Sequence, residues 1–161
     1  MRSVFLWENE MKRIMFVCHG NICRSPMGEY LLKDMVKKAG KDEQYEIASS
    51  AVSAEEIWGE IGNPVYGPVK RLLSGLGITC DEKRATQLRY EDGDKYDIFL
   101  CMDDSNLVKA RRILGTKNAD KCVKALSLVG LSRDVADPWY TRDFEATYQD
   151  LLLVCNKLME D

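Results

Sequence analysis

The sequence contains a single histidine, His19, and its cysteines form no Cys-x-x-Cys pair. Zinc sites are built from closely spaced cysteines and histidines, so this pattern excludes the usual zinc-binding motifs. The six cysteines are scattered: Cys18, Cys23, Cys80, Cys101, Cys122 and Cys155. We therefore predict no zinc site, and free thiols rather than a disulfide framework.

Long apolar runs and an excess of one charge are also missing. No run is long enough to cross a bilayer, and residues 1–10 lack the apolar stretch and cleavage site of a secretory signal. The net charge is −3, from 23 basic and 26 acidic residues that are well mixed, whereas nucleic-acid binding calls for a basic surface. We expect a cytoplasmic protein, monomeric or weakly dimeric, that binds neither membranes nor nucleic acids.

The length and composition predict one domain. The chain has 161 residues, of which 45% are hydrophobic and 30% charged, and it contains no linker, repeat or low-complexity stretch. A second methionine, Met11, precedes the first apolar segment. We interpret residues 1–10 as an N-terminal extension and residues 11–161 as the domain.

Short apolar segments alternate with amphipathic ones along the chain. The pattern predicts strands at 13–17, 45–49, 96–102 and 124–128. It predicts helices at 25–39, 64–73, 103–114 and 142–159, with a loop over 50–63. Strands that alternate with helices pair in parallel, so we predict an α/β fold with ligands at the carboxyl ends of its strands.

Residues 18–25, CHGNICRS, connect the first predicted strand to a helix that begins near Ser25. Gly20 allows a tight turn whose N–H groups converge, and the helix N-terminus adds its positive end, so this loop can bind a phosphate. Arg24 can donate two parallel hydrogen bonds to phosphate oxygens. The same donors favour the thiolate of Cys18, which would be a nucleophile facing one phosphorus atom. The alternative is a structural cysteine in a strand-to-helix turn.

Residues 18–29, CHGNICRSPMGE, resemble the signature of the low-molecular-weight protein tyrosine phosphatases. Other similar segments follow in that family's order: SSAVS (49–53), IGNPVYGPVKRLL (61–73), CMDDSNL (101–107) and DPWY (137–140). The resemblance implies a single three-layer domain, with a four-stranded parallel sheet flanked by helices and the phosphate-binding loop after the first strand.

The resemblance also implies an activity. It is the hydrolysis of phosphotyrosine in protein substrates, without a metal or other cofactor, through a phosphocysteine intermediate on Cys18, with phosphate or other oxyanions bound in the loop. By the same likeness, the phosphate-binding loop comprises His19, Gly20, Asn21, Ile22 and Cys23 between Cys18 and Arg24.

The chemistry requires an acid and base besides the nucleophile. Expelling a phenolate is faster when the leaving oxygen is protonated, and the later attack by water needs a base. Asp137 is the candidate for both roles, because Pro138 stiffens its loop and aromatic residues follow it. An Asp-Pro pair in a plain turn is the alternative.

Three aromatic residues are candidates for the rim of the site. Trp139 and Tyr140 directly follow the Asp137 loop and are expected to form a wall against the substrate ring. For one of the two, packing against the last helix is the alternative. Trp58, in the predicted loop at 50–63, is expected at the opposite rim, where members of the resembled family contact substrate.

The resemblance assigns supporting roles to four more residues. Asn21 is expected to hold the loop conformation and to form a hydrogen bond with Ser50. Ser25 is expected to donate its hydroxyl to the Cys18 sulfur, and Asp103 to support the loop from behind.

Two further observations concern histidine: one family histidine is replaced in this chain, and the chain's single histidine is assigned no catalytic role. Many members of the family have an H-x-A-R-Q segment, whereas this chain has KRATQ at 83–87, with Lys83 at the histidine position. We expect this change to affect local packing rather than catalysis. His19 is expected to point away from the phosphate and is assigned no acid or base role.

Three alternative functions share the same loop. A thioredoxin-coupled arsenate reductase needs further relay cysteines, and the helix after Cys101 contains none. A protein-arginine phosphatase carries threonine between the loop's Asn and second Cys, where this chain has the apolar Ile22. A non-enzymatic phosphate-binding protein would lack a catalytic group, whereas Cys18, Arg24 and Asp137 are all present.

Cys23 suggests a redox hypothesis. It shares one loop with Cys18, and a thiolate is the species that peroxide oxidises. A Cys18–Cys23 disulfide would then protect the nucleophile reversibly. The alternative is that Cys23 only packs under the loop.

Overall fold

The central strand of the fold, β1 (Lys12–Cys18), is buried along its last five residues. In the computed structural model, which describes residues 11–160, it lies in one sheet with β2 (Tyr45–Ala51), β5 (Ile98–Cys101) and β6 (Cys122–Lys124). The order is β2–β1–β5–β6, and every pair is parallel. The α/β fold and its four-stranded parallel sheet are confirmed. The predicted extension at 1–10 lies outside the described residues.

Helices connect the strands and cover both faces of the sheet. They are α1 (Arg24–Lys38), α2 (Gly67–Gly75), α3 (Asp92–Lys95), α4 (Asp104–Leu114), α5 (Pro138–Thr141) and α6 (Phe144–Met159). A two-stranded antiparallel hairpin, β3 (Ile57–Trp58) and β4 (Ile61–Gly62), follows β2. None of the helices within residues 11–160 is long and apolar enough to cross a membrane.

Alternation along β1 divides the core into two layers. Ile14 and Phe16 pack in a cluster with residues of α1 and α6, whereas Met15 and Val17 pack in a second cluster with residues of α4. Successive side chains of a strand point to opposite faces, so a central strand covered by helices on both sides is apolar throughout. This explains why RIMFV shows no polar alternation.

The predicted last strand at 124–128 is wrong. The strand ends at Lys124, and Ala125–Val129 form a short 3₁₀ helix closed by Gly130 at φ 77°. Ala125, Leu126 and Leu128 are buried, and a short apolar segment cannot be assigned to strand or helix from hydrophobicity alone.

Other predicted boundaries shift by a few residues. The predicted loop at 50–63 contains the end of β2 and the β3–β4 hairpin. The helix predicted from Pro64 begins at Gly67, because Pro64 instead forms a β-bridge with Arg84. Asp103 is the N-cap of α4 rather than its first residue, and its side chain accepts a hydrogen bond from Asn106 N. The short α3 and α5 were not predicted.

Candidate active site

The loop between β1 and α1 surrounds the Cys18 sulfur with hydrogen-bond donors. The N–H groups of Asn21 and Ser25 donate to Sγ at 3.3 and 3.4 Å, and the Ser25 hydroxyl oxygen lies 2.9 Å from it. Helix α1 begins at Arg24, so the positive end of its dipole faces the same region. These groups stabilise negative charge at the sulfur and at an anion bound in front of it.

Asn21 holds the loop in shape through its backbone and its side chain. Its φ is 60°, a left-handed conformation that asparagine tolerates better than most residues. Its amide nitrogen donates to Ser25 Oγ at 2.8 Å and to Ser49 Oγ at 2.9 Å, and its amide oxygen accepts from Thr86 N at 2.9 Å. The side chain is therefore fully bonded within the protein.

The predicted bond from Asn21 to Ser50 is wrong, because the partner is Ser49. Neighbouring side chains of β2 point to opposite faces, and Ser49 is the one that faces the phosphate loop. Ser50 is buried, and its hydroxyl has no hydrogen-bond partner among the described residues.

Behind Asn21, a buried ion pair anchors the network. The Ser49 hydroxyl donates to Glu29 Oε1 at 2.5 Å, and Glu29 is also paired with Lys33 at 2.6 Å and with Lys83 at 3.6 Å. Lys83 donates to Ser49 O at 3.0 Å. Burial lowers the pKa of Lys83, and the Glu29 carboxylate opposes that shift. Lys83 is thus part of the support of the phosphate loop.

Arg24 is buried and is held by groups from two other loops. Its guanidinium donates to Asp103 Oδ2 at 2.9 Å and to Val135 O at 3.1 Å, and it lies 3.4 Å from Asp137 Oδ2. Burial by itself would lower the pKa of Arg24, but the charges of Cys18, Asp137 and Asp103 together raise it. Arg24 therefore stays charged and fixed beside the sulfur.

Asp137 lies at the start of α5, where it caps the helix. Its Oδ1 accepts from Trp139 N at 3.0 Å, and Pro138 occupies the first helical position. The side chain is about one-third exposed, at 31%. The structure thus brings Asp137 to the same guanidinium that adjoins Cys18.

The comparisons with known proteins agree with this geometry. The family model described as low molecular weight phosphotyrosine protein phosphatase matches residues 13–161. The chain belongs to this phosphatase family. The resemblance drawn from residues 18–29 is confirmed.

Two relatives and two crystal structures illustrate the likeness. The low molecular weight protein-tyrosine-phosphatase YfkJ of Bacillus subtilis is 34% identical over 151 residues, covering 92% of this chain and 94% of the relative. The human family member is 33% identical over 161 residues, covering 95% and 97%. The crystal structure of YfkJ superposes with a TM-score of 0.84 over 95% of each chain. A structure described as a Drosophila arginine phosphatase has a TM-score of 0.81 at 25% identity, covering 92% of this chain and 96% of that one.

A cavity of about 490 Å³ opens in front of the phosphate loop of this family member. Predicted site residues line it: Cys18, His19, Gly20, Ile22, Cys23, Arg24, Asp103, Asp137, Trp139 and Tyr140. Asn21, Ser25 and Ser50 are not among the residues that line the cavity. Trp58 is not brought into it either; its side chain is 73% exposed on the β3–β4 hairpin.

The two aromatic residues after Asp137 differ in how firmly they are held. The Trp139 ring lies 5.2 Å from the ring of Tyr66, which in turn lies 6.1 Å from Phe144 at the start of α6. Tyr140 is 81% exposed. Trp139 is thus a supported wall, whereas Tyr140 projects at the mouth of the cavity.

Sequence reasoning missed five residues that line the cavity: Glu55, Glu56, Ser105, Asn106 and Lys109. Glu55 and Glu56 follow β2, and the other three lie in the first turns of α4, after β5. Their position in the chain could have identified them as lining residues, because both groups follow the carboxyl end of a strand next to β1. Asn106 is buried, and its Oδ1 has no partner among the described residues.

The remaining loop residues have distinct environments. His19 Nε2 lies 2.9 Å from Glu55 Oε2, so this carboxylate engages its ring. Burial, followed by the nearby charge of Cys18, raises the pKa of the Cys23 thiol well above its ordinary value. Within residues 11–160, no group of three or more His, Cys, Asp or Glu side chains is arranged to hold a metal ion.

Proposed function

We propose that this protein hydrolyses phosphotyrosine in protein substrates, with Cys18 as nucleophile, Arg24 as phosphate ligand and Asp137 as general acid and base. One observation carries the proposal: Asp137 Oδ2 lies 3.4 Å from the guanidinium of Arg24, which adjoins a sulfur surrounded by donors. Membership of the phosphatase family supports it.

In the first step, Cys18 Sγ attacks the phosphorus and the bond from phosphorus to the phenolic oxygen breaks. Asp137, as the carboxylic acid, gives its proton to the departing oxygen, so tyrosine leaves neutral. Arg24 and the loop N–H groups bind the three equatorial phosphoryl oxygens, whose charge the transition state spreads. The product of this step is phosphocysteine.

In the second step, water attacks the phosphorus while the Asp137 carboxylate takes its proton. The sulfur–phosphorus bond breaks, and inorganic phosphate and the Cys18 thiolate are released. The Ser25 hydroxyl, 2.9 Å from Sγ, stabilises the negative charge that returns to sulfur.

The test is hydrolysis of p-nitrophenyl phosphate and of a phosphotyrosine peptide by purified protein. We expect Cys18→Ser to abolish turnover of both substrates. Asp137→Asn is expected to lower kcat by about 10²–10⁴-fold, because proton transfer by a positioned side chain contributes a factor of that size. Undiminished activity of the Cys18→Ser variant would refute the mechanism.

Phosphoarginine is the second candidate substrate. It is favoured by the likeness to the Drosophila structure described as an arginine phosphatase. Against it, the partly buried Ile22 lines the cavity with an apolar side chain that suits an aromatic ring. Comparing kcat/KM for phosphoarginine and phosphotyrosine peptides decides between them, and a preference for phosphoarginine would overturn the tyrosine assignment.

The arsenate reductase alternative gains no support, because Cys101 is fully buried in the core.

The proposal also covers the cellular compartment and the oligomeric state of the enzyme. We propose a cytoplasmic, monomeric or weakly dimeric protein, and its six free cysteines support a reducing compartment. Cell fractionation and sedimentation at several concentrations test the two statements. Recovery from the culture medium, or a stable oligomer at nanomolar concentration, would contradict them.

A further inference from the structure

The two walls of the active-site cavity carry opposite charges. The sheet order places the end of β1, and with it Cys18, between the ends of β2 and β5. The wall that follows β2 contains Glu55 and Glu56, whereas the wall that follows β5 contains Lys109 on α4. A phosphotyrosine bound at Cys18 would therefore have an acidic wall on one side and a basic side chain on the other.

Other charged side chains of the cavity are engaged with one another. The guanidinium of Arg24 is paired with Asp103 at 2.9 Å and lies 3.4 Å from Asp137. Asp104, next to Asp103, is paired with Lys124 at 3.1 Å.

The charges of the two walls remain available to a ligand. Within residues 11–160, no carboxylate forms an ion pair with Lys109, and no lysine or arginine forms one with Glu55 or Glu56. Glu55 contacts the ring of His19, and Glu56 accepts from the Asn63 side chain at 2.9 Å. Both bonds leave carboxylate lone pairs free, since each carboxylate can accept about four hydrogen bonds.

We propose that this polarity selects the substrate segment and its direction across the cavity. The favoured segment has an acidic residue on the flank of the phosphotyrosine that faces Lys109 and a basic residue on the flank that faces Glu55 and Glu56. The reversed arrangement places like charges together on both walls, so it binds less well. The inference rests on the proposed hydrolysis of phosphotyrosine and adds a sequence preference to it.

The test uses phosphotyrosine peptides of equal length and net charge. One has Glu before and Lys after the phosphotyrosine, the second has the two exchanged, and a third has Ala at both positions. Each kcat/KM at low ionic strength is divided by the value that the same variant gives for phenyl phosphate, so a general change in activity cancels. We expect the two charged peptides to differ by about three- to tenfold, as two partly exposed ion pairs allow.

Charge-reversal variants show which residues cause the preference. Lys109→Glu is expected to remove most of the difference, and Lys109→Glu combined with Glu55→Lys to reverse its direction. Lys95→Glu is the matched control, since it makes the same charge change on α3, which precedes β5 at the opposite edge of the sheet. The control is expected to retain the wild-type preference.

Three results would overturn the inference: equal values for the two charged peptides, equal effects of Lys109→Glu and Lys95→Glu, or a preference that persists in 1 M salt. At that ionic strength the Debye length is about 3 Å, so an electrostatic preference between exposed groups should collapse. Loss of the proposed function has a different signature, because wild-type protein would then fail to hydrolyse the Ala-flanked peptide and phenyl phosphate.

Discussion

The direction of the hydrogen bond between the Ser25 hydroxyl and the Cys18 sulfur follows from Glu29. A carboxylate only accepts, so the Ser49 hydroxyl must give its proton to Glu29 and can accept from Asn21. The second N–H of the Asn21 amide then donates to Ser25 Oγ. The Ser25 proton is left to point at the sulfur, 2.9 Å away. A buried carboxylate on α1 thus orients a donor toward the nucleophile without touching it.

Lys83 is expected to support this arrangement through charge. Replacing it with methionine removes the cation from a buried pair, although Lys33 still contacts Glu29. We predict that Lys83→Met lowers the free energy of unfolding by about 1–3 kcal/mol, less than for a carboxylate left fully unpaired. Urea denaturation measures the change. Lys95→Met, on the surface, should change it by less than about 0.5 kcal/mol. An equally small effect of Lys83→Met would contradict the prediction.

Cys23 is expected to protect Cys18 from irreversible oxidation. Burial raises the pKa of Cys23, so peroxide acts first on the thiolate of Cys18 and forms a sulfenic acid. Condensation with the Cys23 thiol would release water and leave a disulfide that thiols reduce. We predict that wild type recovers most activity after peroxide and then dithiothreitol, whereas Cys23→Ala does not. Cys80→Ala is the control, and full recovery by Cys23→Ala would mean that Cys23 only packs under the loop.

At the scale of secondary-structure elements, α1 has two roles, and both require that it lies close to the sheet. Its N-terminus faces the anion site, and its side packs directly on β1. A methyl group at Gly28 would lie 2.6 Å from the Phe16 ring, so only glycine permits this approach. The sequence indicated the helix, but the requirement for glycine at this turn comes from the helix–sheet contact.

We predict that Gly28→Ala lowers the free energy of unfolding by about 1–2 kcal/mol. The steric cost of overpacking is about 1–3 kcal/mol, and the better helix propensity of alanine offsets up to about 1 kcal/mol of it. Gly75→Ala is the matched control, since a methyl group at Gly75, in α2, meets nothing within 4 Å. It should be neutral or stabilising. Thermal and urea unfolding measure both variants, and similar effects at the two positions would disprove the role of Phe16.

The short helix α5 positions two side chains of the site. It spans only Pro138–Thr141, yet it fixes Asp137 as its N-cap and places Trp139 against Tyr66. The Asp-Pro pair predicted a stiff loop, and the helix supplies the stiffness. The proposed proton donor, Asp137, therefore has one oxygen held by a backbone N–H and the other beside Arg24.

At the scale of the whole molecule, a buried cysteine thiol makes the stability of the fold depend on pH in the alkaline range. Burial raises the pKa of Cys155, in α6, well above its ordinary value. Above about pH 8.5 the unfolded chain loses this proton while the folded chain keeps it, so stability falls as the pH rises. Below that pH the thiol is protonated in both states and contributes no pH dependence.

We predict that Cys155→Ala reduces the loss of unfolding free energy between pH 9 and pH 10 by about 1.4 kcal/mol per pH unit, the contribution of one titrating group. Urea denaturation at several pH values gives the slope. Leu151→Ala, a cavity-forming change at a fully buried position of the same helix, should lower stability at every pH without changing the slope. An unchanged slope for Cys155→Ala would show that its thiol is not shielded as the structure indicates.

The sequence by itself determined those features that depend on neighbours along the chain. The strand–loop–helix pattern at 18–25 predicted the phosphate loop, because turn, nucleophile and helix start lie within eight residues. The alternation of strands and helices predicted the parallel sheet. The same local reasoning failed at 124–128, where hydrophobicity could not separate a strand from a 3₁₀ helix.

Only the tertiary structure decided which distant residues meet. Ser49 rather than Ser50 bonds to Asn21, because strand direction and register set which face of β2 meets the loop. The order β2–β1–β5 brings Glu55 and Lys109 to opposite walls of one cavity, although 54 positions separate them in the chain. Such contacts depend on how layers pack, and packing depends on the whole core rather than on any short segment.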